Sequence, residues 1–209
     1  MTTPGAIHVR DAGAADMAAV QAIYAYHVRH GFGTFEEEPP TLDDMSARHA
    51  AVVAAGLPWL VAEIEGRVAG YAYAGPFRAR AAYRYTVEDS IYIGEDFARR
   101  GVGRALLSAL IACCEAGPWR QMLAVIGDSF NDGSVGLHRA LGFSHLGTMK
   151  AVGFKHGRWV DVVMMQRPLG DGEATPPGLR SLPAQGRCKC PPDGPACGPD
   201  AKPPTRPPC

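Results

Sequence analysis

"IYIGEDFARRGVGRALLSAL", Ile91 to Leu110, joins a β-rich run to a helical pattern through a polar turn in which Gly101 and Gly103 stand among Arg99, Arg100 and Arg104. A turn that leads from a strand into a helix leaves the first backbone N–H groups of the helix unpaired and aimed outward, and the aligned peptide dipoles add partial positive charge there. Such an end suits an anion. Glycine lets a phosphate come close to the backbone and the arginines supply charge-assisted hydrogen bonds, so the stretch reads as a phosphate or pyrophosphate site. It is not a dinucleotide fingerprint, because Leu106 stands where a third glycine belongs, and the Gly-Lys-Ser/Thr of a P-loop is absent. Glycines in such a place also simply make turns, so other residues must decide.

The chain around this turn has 209 residues and is 46% apolar, enough for one ordinary domain with a sizeable core and an extra segment. Its 21 basic and 21 acidic side chains cancel. No overall field then favours nucleic acid or an anionic membrane, and an anion site has to be local. No apolar run approaches the roughly 20 residues that span a bilayer, and "MTTPGAIHVRD" lacks the basic start and apolar centre of a signal peptide, so the cytoplasm is expected. After Leu169 the composition turns rich in Pro and Gly and poor in bulky apolar residues. Residues 1–169 are therefore expected to be the folded domain and 170–209 a disordered or loosely docked tail. Cys113 and Cys114, adjacent in a helical pattern, read as small packing residues rather than a redox pair. Cys188, Cys190, Cys197 and Cys209 of the tail do not have the spacing of a zinc module, so no metal is expected.

Within the domain, "AIHVRDA" reads as a strand and "ADMAAVQAIYAYHVRHG" as a helix with Met17, Val20, Ile23, Tyr24 and His27 along one face. "TLDDMSARHAAVVAAG" opens on Thr41 with Asp44 three residues on, a capping box with a shorter acid. "PWLVAEIEGRVAGYAYAGP" is a hairpin about Glu65 and Gly66; then come the strand "TVEDSIYI", a helix from about Val102 to Glu115, and the strand "QMLAVI". A short helix "GSVGLHRAL" and two β runs joined around Gly157 close the domain. Hairpins combined with alternating strands and helices give a mixed sheet flanked by helices, of the α/β or α+β class.

On "TVEDSIYI" side chains alternate, so Glu88, Ser90 and Tyr92 share one face, and Val87, Ile91 and Ile93 the other. Asp89 falls on the apolar side, an exception assigned to a frayed strand end. With a phosphate-bearing ligand at the glycine turn, the strand leading to it lies beside the ligand, and Glu88 becomes a candidate base. Asn131, Ser134 and His138 fall at i, i+3 and i+7, on one stripe of a short helix, and imidazole exchanges a proton near neutral pH. Asn131 or Asp132 also suits the cap of that helix.

The runs "RRGVGRALL" after "SIYI", "LAVIGDSFNDGSVGLHRALGF" and "AVGFKHGRWVDV" resemble the GNAT N-acetyltransferase superfamily, and within it the phosphinothricin N-acetyltransferases, over residues 6–168. The resemblance implies a mixed, mostly antiparallel sheet split by a splay between its fourth and fifth strands, "TVEDSIYI" and "QMLAVI". It implies acetyl-CoA as co-substrate, with its pantetheine arm in the gap along Ile91, Tyr92 and Ile93. The pyrophosphate would then lie on Arg99, Arg100, Gly101, Val102, Gly103, Arg104 and Ala105, with Asn131 and Ser134 also at the cofactor. Ala98 departs from the superfamily's Gln/Arg at the first position of the turn, which bears on affinity rather than on function because backbone N–H groups do most of the binding.

By similarity Glu88 is the general base and His138, where the superfamily often has tyrosine, either protonates the leaving thiolate or assists deprotonation. A free Glu titrates near 4.3, far below an α-ammonium near 8, so direct transfer needs burial to raise it, or an intervening water. Phe35, Arg78, Arg80 and Tyr83 match substrate positions, and their arginines suit an α-carboxylate. The implied reaction is acetylation of the α-amino group of a small amino-acid analogue such as phosphinothricin or methionine sulfoximine, a detoxification, with a homodimer as the implied assembly. Acetylation of a polyamine, an aminoglycoside or a protein N-terminus is the enzymatic alternative, and a non-catalytic acyl-CoA-binding module the other.

Overall fold

Runs rich in Val, Ile, Tyr and Trp between turn residues build seven strands in the computed structural model of the chain, which describes residues 5–178. They are β1 (His8–Asp11), β2 (Trp59–Ile64), β3 (Arg67–Pro76), β4 (Thr86–Ile93), β5 (Gln121–Gly127), β6 (Ser144–Lys155) and β7 (Arg158–Pro168). Four α-helices accompany them: α1 (Met17–His30), α2 (Leu42–Ala54), α3 (Val102–Glu115) and α4 (Asp132–Ala140). The strands form one sheet in the order β1-β2-β3-β4-β5-β7-β6, antiparallel throughout except for the parallel β4–β5 pair. The mixed sheet flanked by helices is the class the sequence implies.

Local chemistry sets these elements. Both hairpins close through two-residue turns with positive φ, Glu65 and Gly66 (52° and 73°) and His156 and Gly157 (47° and 76°). Their hand matches the twist of the strands they join. The Thr41 hydroxyl accepts the Asp44 N–H at 3.1 Å and the Asp44 carboxylate accepts the Thr41 N–H at 3.0 Å, the reciprocal cap that starts α2.

The sheet is covered on both faces, so β2 and β3 are buried along most of their length instead of on alternate residues. On one face α3 packs Leu106, Leu107, Leu110 and Cys114 against Leu60, Ala62, Ala72, Ala74 and Val87. On the other, α1 and α2 pack Met17, Val20, Tyr24 and Met45 against Trp59, Val61 and Tyr71. Residues 170–178 run back beside the start of β5, where Arg120 meets the Asp171 carboxylate at 3.3 Å and the Thr175 carbonyl at 3.0 Å. From residue 179 onward the expected tail and its cysteines lie outside the described residues. Among the described residues no helix is long and apolar enough to cross a membrane.

One feature of topology positions the site. The β4–β5 ladder runs only from Thr86↔Gln121 to Asp89↔Ala124. Beyond it β4 stays paired to β3 as far as Ile93, and β5 to β7 as far as Gly127. Ser90–Ile93 and Val125–Gly127 therefore have outer partners and no ladder between them, which is the splay implied by resemblance. The loop after α1 closes against the far end of β5, where a Cβ built on Gly127 would lie 2.1 Å from the Phe32 carbonyl oxygen. Because that oxygen belongs to backbone, Gly127→Ala is expected to cost roughly 2 kcal/mol and to lower the thermal midpoint by roughly 4–8 °C. An unchanged midpoint in thermal unfolding followed by circular dichroism contradicts this contact.

Candidate active site

Glu88 sits on β4 opposite Gly75 of β3 and beside Leu123 of β5, one residue before the strands part. Its side chain is half-buried. Burial, and then the negative charge of the adjacent Asp89, push its carboxyl up to about 7. That is the condition the sequence reading set for direct proton transfer from an ammonium group. The same face of β4 carries Tyr92, whose ring stacks near Tyr71 at 5.4 Å and meets Tyr24 edge-on at 5.0 Å. His27 of α1 joins the cluster, 5.4 Å from the Tyr92 ring, and donates through Nε2 to the Ile93 carbonyl at 2.9 Å. Burial lowers the pKa of His27. Ile91 and Ile93 point the other way and pack on the α3 core.

Asp89 is not at a frayed end. It lies 6% exposed on the α3 side of the sheet, and its Oδ2 is 3.0 Å from Nε2 of His138, itself 1% exposed. The sequence reading of Asp89 as an end effect is thereby corrected: a carboxylate on a buried face needs a partner, and helix α4 supplies it. His138 donates from Nδ1 to the Ser134 carbonyl at 2.7 Å, and the Phe143 ring stands edge-on at 5.0 Å. Burial disfavours the charged imidazole, yet the hydrogen bond and charge of Asp89, with the Ser134 carbonyl, outweigh it and hold the ring above its ordinary pKa. Glu88 and His138, named together from sequence, thus lie on opposite faces of β4.

Helix α4 is fixed under the fork from two sides. Asn131 caps it, its side-chain oxygen accepting the Ser134 N–H at 3.2 Å. Leu137 packs on α3 where a Cβ on Gly103 would come within 3.2 Å. Gly103 is thus explained by helix packing, while Gly101 has φ of 86°, the left-handed conformation that glycine adopts without strain. Gly101 begins α3, and no side chain caps the first turn. Val102 is buried, while Arg99, Arg100 and Arg104 are exposed around that turn, and Ala105 donates back to the Gly101 carbonyl at 3.1 Å.

These groups fit a nucleotide-bearing thioester. Uncapped helix N–H groups with three guanidinium groups suit a pyrophosphate, and two strand edges without a ladder between them suit an extended amide-containing arm. Among the described residues no group of three or more His, Cys, Asp or Glu side chains is placed to hold a metal ion.

The expected substrate residues divide. Arg78, Arg80 and Tyr83 lie on the loop between β3 and β4, anchored by the Phe77 N–H on the Thr86 carbonyl at 3.3 Å, and so at the strand end nearest Glu88. Arg78 covers the rings of Phe77 and Tyr83, and Arg80 is exposed. Phe35, 41% exposed, lies instead against β6, where a Cβ on Gly153 would be 2.3 Å from its ring. Lys155, 2% exposed and absent from the sequence reading, secures the same loop by donating to the Thr34 carbonyl at 2.8 Å. Glu36 completes the latch, accepting from Tyr24 at 2.9 Å and from Arg48 at 2.7 Å.

Residues 9–164 match the family model described as the acetyltransferase (GNAT) domain. The chain belongs to the GNAT acetyltransferase family. It is 57% identical over 162 residues to a phosphinothricin N-acetyltransferase from Alcaligenes faecalis, covering 78% of this chain and 82% of that one. It is 40% identical over 169 residues to an L-methionine sulfoximine/L-methionine sulfone acetyltransferase from Pseudomonas paraeruginosa, covering 80% and 98%. A solved GNAT phosphinothricin acetyltransferase from Sinorhizobium meliloti, in complex with acetyl-CoA, superposes with a TM-score of 0.83 at 49% identity, over 85% of this chain and 96% of that one. This GNAT chain is an N-acetyltransferase that uses acetyl-CoA, and the fork between β4 and β5 is its candidate active site.

Proposed function

We propose that this GNAT enzyme acetylates the α-amino group of a small amino-acid analogue of the phosphinothricin or methionine sulfoximine kind, a detoxifying reaction, with Glu88 as the base. The observation that carries this is Glu88: half-buried at the mouth of the fork, with its carboxyl held at about 7. The names of the Alcaligenes and Pseudomonas relatives support the substrate class. When bound, acetyl-CoA supplies an activated thioester carbonyl. Ser90–Ile93 and Val125–Gly127 would hold its arm, and the first turn of α3 with Arg99, Arg100 and Arg104 would hold its phosphates.

Glu88 then takes a proton from the substrate ammonium, a transfer far less uphill from a group near 7 than from one near 4.3. The β3–β4 loop brings Arg78, Arg80 and Tyr83 to the same strand end, where a guanidinium can fork onto the substrate carboxylate. Such a loop favours an amino acid over a polyamine or aminoglycoside, which would be drawn to acidic walls. Phe35 contributes an exposed ring from the loop that Lys155 secures. His138 has both nitrogens engaged and is buried, so it acts through the charge it holds against Asp89 instead of meeting the thiol.

A cytoplasmic homodimer is part of the same reading. The edge strand β6 and its hairpin partner expose Leu146, Met149, Val152, Phe154 and Trp159, the last 65% exposed, apolar surface suited to a second copy.

With phosphinothricin, methionine sulfoximine and methionine sulfone as acceptors, thiol release from acetyl-CoA is expected, and with a polyamine it is not. The rate should climb as pH rises through about 7, since the base works deprotonated, and Glu88→Gln should lower kcat/KM roughly 10²–10⁴-fold and abolish that limb. Full activity in Glu88→Gln, or turnover of the polyamine alone, contradicts the reading. For the dimer, Trp159→Lys is expected to halve the mass measured by light scattering, and an unchanged dimeric mass places the interface elsewhere.

A further inference from the structure

Asp89 is the last residue of β4 in the ladder with β5, and it follows Glu88 directly. Consecutive strand residues face opposite ways, so the two carboxyl groups stand on opposite sides of the sheet at the point where it opens. Asp89 is buried on its side with one oxygen engaged. Its Oδ2 takes the Nε2 hydrogen of His138, while Oδ1 is buried with no hydrogen-bond partner among the described residues. The Ser134 carbonyl can only accept, so Nδ1 of His138 carries hydrogen, and Asp89 at Nε2 raises the pKa of the ring and so favours its cation.

A buried ion pair of this kind is weak evidence for stability, because desolvating two charges costs about as much as their attraction returns. An apolar pair would fill the same space beside Phe143. The placement calls for another explanation.

We propose that Asp89 is a positioning residue for the acetyl transfer, acting through Glu88: clamped by His138 on one face of β4, it fixes both the strand at the fork and the negative charge that Glu88 feels from behind. This rests on Glu88 being the base. Of the two members of the pair Asp89 is the nearer to Glu88, so its charge is felt more strongly than that of His138. On the face of Glu88 stand Tyr92 on β4 and Tyr73 on β3, both neutral phenols near pH 7, and Leu123 on β5, which has no charge, while the β3–β4 loop holds Arg78 and Arg80 exposed at the same strand end. On the far side, α3 faces Asp89 with the buried thiol of Cys114, whose pKa burial and Asp89 both raise, so it too is neutral. Asp89 is the carboxylate next to Glu88, and after burial its charge is what keeps the base from ionising too early.

The test is the pH profile of kcat/KM for the full chain with acetyl-CoA and phosphinothricin. Asp89→Asn keeps shape and an acceptor for Nε2 but removes the charge, and Asp89→Asn/His138→Gln replaces the pair with two bonded amides. In both, the acid limb is expected to move down by roughly half a pH unit, so that one unit below the wild-type limb the variants keep about threefold more of their plateau rate. A purely structural Asp89 would change the plateau or the melting temperature and leave the limb in place. Long-range proton–nitrogen spectra supply the second readout: His138 doubly protonated at pH 7.5 in wild type, and neutral in Asp89→Asn. Limbs coincident with wild type in folded variants overturn the proposal. Should neither variant fold, a neutral His138 in the wild-type spectrum overturns it and a doubly protonated one upholds it. Glu88→Gln run alongside separates the layers, since a limb that survives in that variant removes the base reading itself and this inference with it.

Discussion

The structure depends on a parallel ladder that stops early. From Thr86 to Asp89, β4 is locked to β5, and each strand then continues along its own outer neighbour, β3 or β7, with nothing joining the two inner edges. Backbone N–H and C=O groups on such edges require partners, so the fork is a slot for an extended, amide-bearing chain. After β4 a single 3-10 turn, Glu95–Phe97, leads to the glycine turn, which brings the uncapped end of α3 back beside Ile93. One topological event therefore provides both halves of the candidate cofactor site, the slot and the anion cradle.

The electrostatics of the fork are divided between the two faces of β4. Toward α1 and α2 lies Glu88, half-buried beneath an aromatic cluster, with a pKa suited to exchanging a proton near neutrality. Toward α3 and α4 lies the Asp89–His138 pair, closed to solvent and joined at 3.0 Å. Helix α4 ties these faces together, since its cap, its Leu137 contact with α3 and its histidine all bear on the point where the sheet opens. The proposed base and the residue proposed to hold its frame are thus neighbours in sequence.

Much of this was legible in the sequence. Turn residues marked both hairpins, the Thr41–Asp44 spacing marked the start of α2, and the arginine-flanked glycines marked the uncapped start of α3. Glu88 could be singled out because strand periodicity places it beside that turn. Asp89 could not be placed from a single strand: its partner lies 49 residues away on another element, and only the rule that a buried-face carboxylate requires a partner hinted at it. Gly103 and Gly127 were opaque for a similar reason, as what excludes a Cβ there is Leu137 and the Phe32 backbone, brought close only by the tertiary fold. Lys155 reads as an ordinary surface lysine until the loop after α1 folds over it.

The claim that the fork receives the cofactor is tested most directly by amide hydrogen exchange of the full chain with and without saturating CoA. Ser90–Ile93, Val125–Gly127 and the first turn of α3 are predicted to gain protection together, with the β4–β5 ladder unchanged. CoA that binds by calorimetry while those amides exchange as in the free protein would contradict the account.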